Sequence, residues 1–211
     1  MSLIQRVQDI LLRPRQTWPA IAAEPADTAS LYSGYVAILA AVPALATFIG
    51  LTLLGLPVMA GLLQLVIGYV LSLVMVYVLA LIVDALAPTF GGTKSPIDAL
   101  KLVAYGSTAG FVGGIFNLVP FLDILGLLAA LYSIYLIYTG VPVMMKCPPD
   151  KAVAYTAVVI VCGIVAMIIL GAITSLVVPA GPLHVGAAAA DAGAAAVAAN
   201  AGAVALAAAA R

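Results

Sequence analysis

The chain has 211 residues, of which 65% are hydrophobic and only 8% charged, where soluble domains carry about 25% charged residues. Too little polar surface exists to clothe a water-soluble fold, so its solvent is lipid. Eight Lys/Arg balance eight Asp/Glu, which excludes the basic footprint of a nucleic-acid-binding protein, and two cysteines with one histidine, none clustered, offer no metal-ligand set at coordinating spacing.

The first predicted element lies in MSLIQRVQDILLRPRQTW, which lacks the uninterrupted apolar core of a cleavable signal peptide. Leu3, Ile4, Val7, Ile10 and Leu11 recur at helical spacing, with Gln5, Arg6, Gln8 and Asp9 largely opposite. An amphipathic helix lying in the membrane interface is expected, closed by Arg13, Arg15 and Trp18 as interfacial anchors. The plainer alternative is a short soluble helix packed on the loops.

Five uncharged runs follow: Val36 to Gly55, Val58 to Val83, Leu102 to Leu122, Ile124 to Met145 and Ala152 to Val178. A helix needs about 20 apolar residues to cross the hydrocarbon core, and each run suffices. The third and fourth are parted only by Asp123, yet as one helix they would reach roughly 66 Å, about twice the core thickness. NLVPFLD, residues 117 to 123, is therefore a hairpin turn. The expected fold is an all-α integral membrane protein, a bundle of five transmembrane helices with a short N-terminal amphipathic helix. Residues 1–31 form the N-terminal segment, 32–180 the spans and 181–211 an alanine-rich tail.

With a cytoplasmic N-terminus, Arg6, Arg13, Arg15, Lys94, Lys101, Lys146 and Lys151 all fall on the cytoplasmic side and only Arg211 on the other, a strong positive-inside bias. The loop LAPTFGGTKSPIDALKLVAYG, residues 86 to 106, superficially resembles a phosphate-binding loop. It lacks the G-x-x-x-x-G-K-[ST] order and a preceding strand. It reads instead as a cytoplasmic turn: Pro88 and Gly91-Gly92 break span two, and Ser95-Pro96 opens span three as cap and first-turn proline. Asp84 ends span two and Lys101 lies near the start of span three. A boundary ion pair between them is the plain expectation; a proton site at Asp84 is the alternative.

Gly106, Gly110 and Gly114 recur every four residues of span three, with Gly113 beside the last. Such a ridge admits a second helix closely, either within the bundle or as an oligomer seam. Tyr132, Tyr135 and Tyr138 drift round one face of span four, as packing or as a polar lining. Pro43 and Pro142 are expected to kink their helices. Cys147 and Cys162 stand about 22 Å apart along the chain if helical, too far for a bridge. The tail from Gly186, with Asp191 and Asn200 among alanines, reads as weakly ordered, a sixth span being the alternative. There is no nucleophile elbow and no H-E-x-x-H helix, and His184 has no catalytic companion at a suggestive spacing.

As an ordered set, LLRPRQTWPAIAAE, GYVAILAAVPALATFIG, LAPTFGGTKS, KLVAYGSTAGFVGGIFNLVPFL and YLIYTGVPVMMKCPPDKAVAYT resemble the Yip family of five-span membrane proteins, the Ypt/Rab-interacting proteins, in its bacterial branch. The resemblance implies five spans and a cytoplasmic N-terminus. Eukaryotic members are associated with Rab GTPases and vesicle traffic through a longer N-terminal region with a Tyr-Gly-Pro-like motif. Here that region has only about thirty residues and SLYSGY is a remnant at most, so the Rab role is not implied; Ala109, where bacterial relatives commonly have proline, is a further departure. The expectation is a non-enzymatic interaction or membrane-organising protein of a bacterial cytoplasmic membrane, without cofactor or metal. Its expected partners are the lipid bilayer, an unidentified membrane or cytoplasmic protein and a second copy of the chain; the alternative is a small oligomeric transporter or channel.

Overall fold

The computed structural model describes residues 2–55, 57–119 and 122–177. The alanine-rich tail, His184 and Arg211, and with them the choice between a tail and a sixth span, lie outside the described residues. Every regular element among the described residues is helical, and five helices are long and apolar enough to cross a membrane: Thr28–Leu53, Val58–Phe90, Pro96–Leu118, Ile124–Met144 and Pro149–Ile169. The chain divides into two compact units, 1–163 and 164–211. The first holds the N-terminal helices, spans one to four and the first half of span five; the second begins with that helix's remaining turns, to Val177.

The N-terminal segment is a pair of helices, not one. In α1 (Leu3–Leu12), the Ser2 hydroxyl accepts from the Gln5 amide, 3.3 Å away, satisfying one of the orphan donors of the first turn. Arg13 is pulled out of helical geometry at φ −138° because Pro14 disfavours the helical region for the residue before it. Pro14 then opens α2 (Pro14–Ala23) at its first position, where its missing N–H costs nothing. Thr17 staples the corner, its hydroxyl within 3.0 Å of the Asp9 carbonyl and 2.9 Å of the Arg13 carbonyl.

Span one contains a π turn at Tyr32–Val36, and Pro43 sits inside its helix without ending it. Span two closes in a 3₁₀ turn, Ala87–Phe90, that includes Pro88. Gly91 then takes φ +75°, the left-handed geometry that only glycine adopts cheaply. The loop is held across the bundle: the Thr93 amide donates to the Met145 carbonyl at 2.9 Å, and the Cys147 thiol to the Phe90 carbonyl at 3.3 Å. The connectors after spans two and four are thus knitted to one another. Beneath them the Phe90 and Tyr155 rings stack at 5.0 Å, and the Tyr155 hydroxyl donates to the Val83 carbonyl.

Span three starts earlier than its uncharged run suggests, at Pro96, and is broken. It runs Pro96–Gly106, turns at Ser107, resumes over Thr108–Gly113 and tightens to 3₁₀ over Gly114–Leu118. It is also the most enclosed span, with 61% of its apolar window buried against 17–28% in the other four. Span four begins at Asp123 and runs back along span three, with Ile137 beside Gly106 and Ala129 beside Gly113, so the two uncharged runs are separate helices.

Candidate functional site

The N-terminal helix pair is docked on spans three and four, and that docking builds a polar enclosure. Trp18 is fully buried and its indole N–H donates to Thr139 Oγ1 at 3.2 Å. Gly140 clears the space for the ring: a Cβ there would come 2.6 Å from Trp18 Cε2. The interfacial-anchor reading of Trp18 is therefore corrected. Pro14, Trp18 and Ile21 form the buried stripe of α2 and face the protein, while Arg13 and Arg15 stay exposed.

Lys101 corrects a second expectation. It does not pair with Asp84. Its side chain is buried, and Nζ donates to the Ile21 carbonyl at 3.2 Å and the Glu24 carbonyl at 2.6 Å, with Asp98 Oδ1 at 3.8 Å. The last carbonyls of a helix lack intrahelical donors and carry the negative end of its dipole, which is where a cation gains most. Asp84 has a different partner of the same logic. Its Oδ1 accepts from the Ser95 amide at 2.7 Å, an orphan N–H at the entry of span three. The Ser95 hydroxyl, expected as the cap, donates instead to Asp98 at 2.7 Å.

Arg6 was assigned by spacing to the polar face of α1, yet its side chain is only 9% exposed. It lies on the stripe of Leu3 and Ile10, three and four residues away, which is one face of a helix. Burial is tolerable because Nη2 donates to both oxygens of Glu24, at 2.5 and 2.6 Å, and the guanidinium lies 5.9 Å from the centre of the Tyr105 ring. Tyr105 in turn packs against Tyr35, ring centres 4.5 Å apart. Tyr35 and Thr108 hydroxyls are 2.7 Å apart. Thr108 gives its single proton to the Tyr105 carbonyl at 2.6 Å, so Tyr35 is the donor between them. Arg6, Glu24, Tyr105 and Tyr35 wall a cavity of about 310 Å³ between α1, the chain around Glu24, and spans one and three, with Ser2, Ser30 and Gly34 at its sides.

The glycine ridge faces inward. A Cβ on Gly106 would sit 2.6 Å from Ile137 Cγ1, one on Gly113 would overlap Ala129, and one on Gly114 would overlap Pro43. Gly110 is looser, with Ser133 Oγ 3.4 Å from such a Cβ and accepting the Gly110 amide at 2.8 Å. Spans four and one of the same chain thus occupy the ridge. The tyrosines of span four do not converge on a path. Tyr132 donates to the Leu11 carbonyl at 2.6 Å, closing the C-terminal end of α1, its ring lies 5.6 Å from that of Tyr135, and Tyr135 and Tyr138 are each 38% exposed on the outer surface.

A second, smaller cavity of about 160 Å³ lies between spans one and two, lined by Pro43, Thr47, Gln64 and Ser72 among others. Gln64 Oε1 there is buried without a hydrogen-bond partner. Among the described residues no three His, Cys, Asp or Glu side chains gather as a metal site. Exposed Leu, Ile and Val side chains cover spans one, two, four and five, the surface a bilayer requires.

The family model of the Yip1 domain matches residues 9–170. The chain belongs to the Yip1 family. No curated protein and no solved structure matches it. The matched stretch takes in the last turn of α1, all of α2 and nearly all of the five spans, so in this Yip1-family protein the helix that carries Trp18 is part of the domain rather than an appendage to it.

Cys147 lies between spans four and five, buried, with its thiol on the Phe90 carbonyl. Burial first and the nearby Asp150 second push the thiol above its ordinary range, and only the thiolate reacts with alkylating reagents. In a Cys162→Ala background at neutral pH, maleimide labelling of Cys147 is expected to be at least about tenfold slower in the folded protein than in detergent-unfolded chain. Equal rates would show that the two connectors are not knitted as described.

Proposed function

We propose that this Yip1-family protein is a non-enzymatic membrane protein that acts by protein interaction or membrane organisation, sited in a bacterial cytoplasmic membrane with its N-terminus in the cytoplasm. The observation that carries the reading is the docked helix pair. A segment of about thirty residues is locked onto the bundle by Trp18 on Thr139, by Lys101 on the carbonyls of Ile21 and Glu24, and by Tyr132 on the Leu11 carbonyl, while its outer face shows Ile4, Gln5, Gln8, Leu12, Arg13 and Arg15. A rigid, amphipathic platform of this kind suits contact with a lipid surface and a partner, since ordering has already been met in the unbound protein. Alternation of five spans puts this platform and the two knitted connectors at one end, together with all seven Lys/Arg of residues 1–177, which supports a cytoplasmic assignment of that end.

The transporter or channel reading has a specific foothold in the unpartnered Gln64 oxygen of the smaller cavity. Reconstituted vesicles separate the two. In the interaction reading, no proton or solute flux arises above that of empty vesicles, and Asp84→Asn, whose side-chain oxygen can still accept from Ser95, changes stability by about 1 kcal/mol or less. Flux that disappears in Asp84→Asn while the folded protein persists would replace the proposal with the transporter reading.

A further inference from the structure

The 310 Å³ cavity beside Arg6 has an electrostatic layout that the fold alone does not use up. Arg6 spends only Nη2 on Glu24. Its Nε and Nη1 have no hydrogen-bond partner among the described residues and keep some accessible surface, although the side chain as a whole is nine-tenths buried and lines the cavity. A guanidinium donates through five N–H groups in a planar fork suited to phosphate oxygens, and the unused edge of one on a largely buried side chain is open to an anionic acceptor. Glu24 is the complement. Its side chain is 46% exposed, and each carboxylate oxygen keeps a lone pair beyond the one Arg6 takes. Tyr105 and Tyr35 add two aromatic rings beside the pair, and rings attract cations.

The depth is equally informative. Tyr105 lies one helical turn inside Lys101, the last charge of span three before its uncharged run. This is the level at which a bilayer changes from headgroup to hydrocarbon. Leu3 and Leu31 form the apolar part of the wall, and Ile4, on the same turn of α1 as Leu3, is 68% exposed, so acyl chains can continue outward from the cavity along apolar surface.

We infer that this cavity binds the headgroup of a phospholipid carrying a primary ammonium, with the phosphate on Nε and Nη1 of Arg6 and the ammonium on Glu24. The two dipoles lie antiparallel, so Arg6 and Glu24 keep their own bond while each gains a second opposite charge. An anionic headgroup without an ammonium would satisfy Arg6 but set its negative charge near Glu24, which selects against it. The site is separate from partner capture: a protein that fails to bind this lipid can still act through its platform, and the converse also holds.

The experiment uses the full chain in detergent micelles. Its thermal melting is followed while phosphatidylethanolamine, phosphatidylglycerol or soluble phosphoethanolamine is added, and native mass spectrometry counts retained lipid. Phosphatidylethanolamine is expected to raise the melting temperature saturably and to be retained in preference to phosphatidylglycerol. Arg6→Gln should weaken half-saturation by about tenfold or more, the scale of one charge-assisted hydrogen bond. Glu24→Gln should erase the preference between the two lipids. Gly34→Leu keeps the inference testable if Arg6 variants do not fold. Gly34 lines the cavity and a Cβ there meets nothing within 4 Å, so a leucine is accommodated and narrows the cavity, and lipid retention should fall while the melting temperature without lipid is kept. Equal response to both lipids in the unmodified chain, or full retention by Gly34→Leu, would overturn the inference. An equal shift with soluble phosphoethanolamine would overturn its lipid part, leaving a site for a free phosphate ester.

Discussion

Trp18→Ala is expected to release the N-terminal helix pair from the bundle. The ring is wholly enclosed, fills the hollow over Gly140 and spends its N–H on Thr139. Truncating a buried Trp to Ala costs about 3–5 kcal/mol, and here the loss falls on one local docking contact and not on the five spans. The expected result is therefore partial: spans that still melt cooperatively, with a helix pair that opens more often by at least about a hundredfold. Limited proteolysis at the Glu24 to Asp27 stretch measures this directly. A cleavage rate equal to that of the unmodified protein would mean that Lys101 and Tyr132 hold the pair unaided.

Gly113→Leu should have the largest effect in the spans. Even a Cβ at this position overlaps Ala129 of span four, and neither partner has a flexible end that could move aside. Overpacking a dense contact costs about 1–3 kcal/mol where neighbours yield; here the backbones of spans three and four must separate, so the cost lies at or beyond that range. Gly110→Ala is the control, because its Cβ would meet only Ser133 Oγ, at 3.4 Å. The expected melting series in detergent is Gly110→Ala close to the unmodified protein and Gly113→Leu far below it or unrecoverable. Should Gly113→Leu keep its melting temperature and change only the particle mass, the ridge would be a seam between copies and not a contact within one chain.

The spans were legible because they rest on quantities that a sequence carries whole: uninterrupted apolar length, and a turn between spans three and four demanded by the thickness of the bilayer. Family membership was legible for a related reason, since the quoted segments are an ordered set across the whole domain. The polar site was not. Lys101 and Asp84 face each other across a loop in the sequence, and charge alone cannot tell that Lys101 instead closes the carbonyl end of α2, 80 residues before it for Ile21. Arg6 and Trp18 were read by residue type, as a polar-face cation and an interfacial aromatic. Their positions held the better signal: Arg6 shares the stripe of Leu3 and Ile10, and Trp18 that of Pro14 and Ile21, the mark of a second buried helix face. Tyr35 and Tyr105 carried no signal at all, because a tyrosine in an apolar run looks the same whether it packs, lines a cavity or faces lipid.

The enclosure of span three has a consequence for how the chain is made. It is the least apolar of the five spans and carries Asp98 and Lys101 in its first turns, Ser107 and Thr108 at its break and Asn117 near its end. Left alone with the insertion machinery, such a segment partitions into lipid far less readily than its neighbours. Most of its surface never meets lipid in the finished protein, so its membrane is, in effect, the other helices. Tyr35 of span one takes up Thr108, span four receives its glycines, and α2 receives Lys101. Its stable entry into the bilayer is therefore an act of assembly and not of partitioning, and the helix that arrives third in synthesis is held in place only once the fourth has followed it.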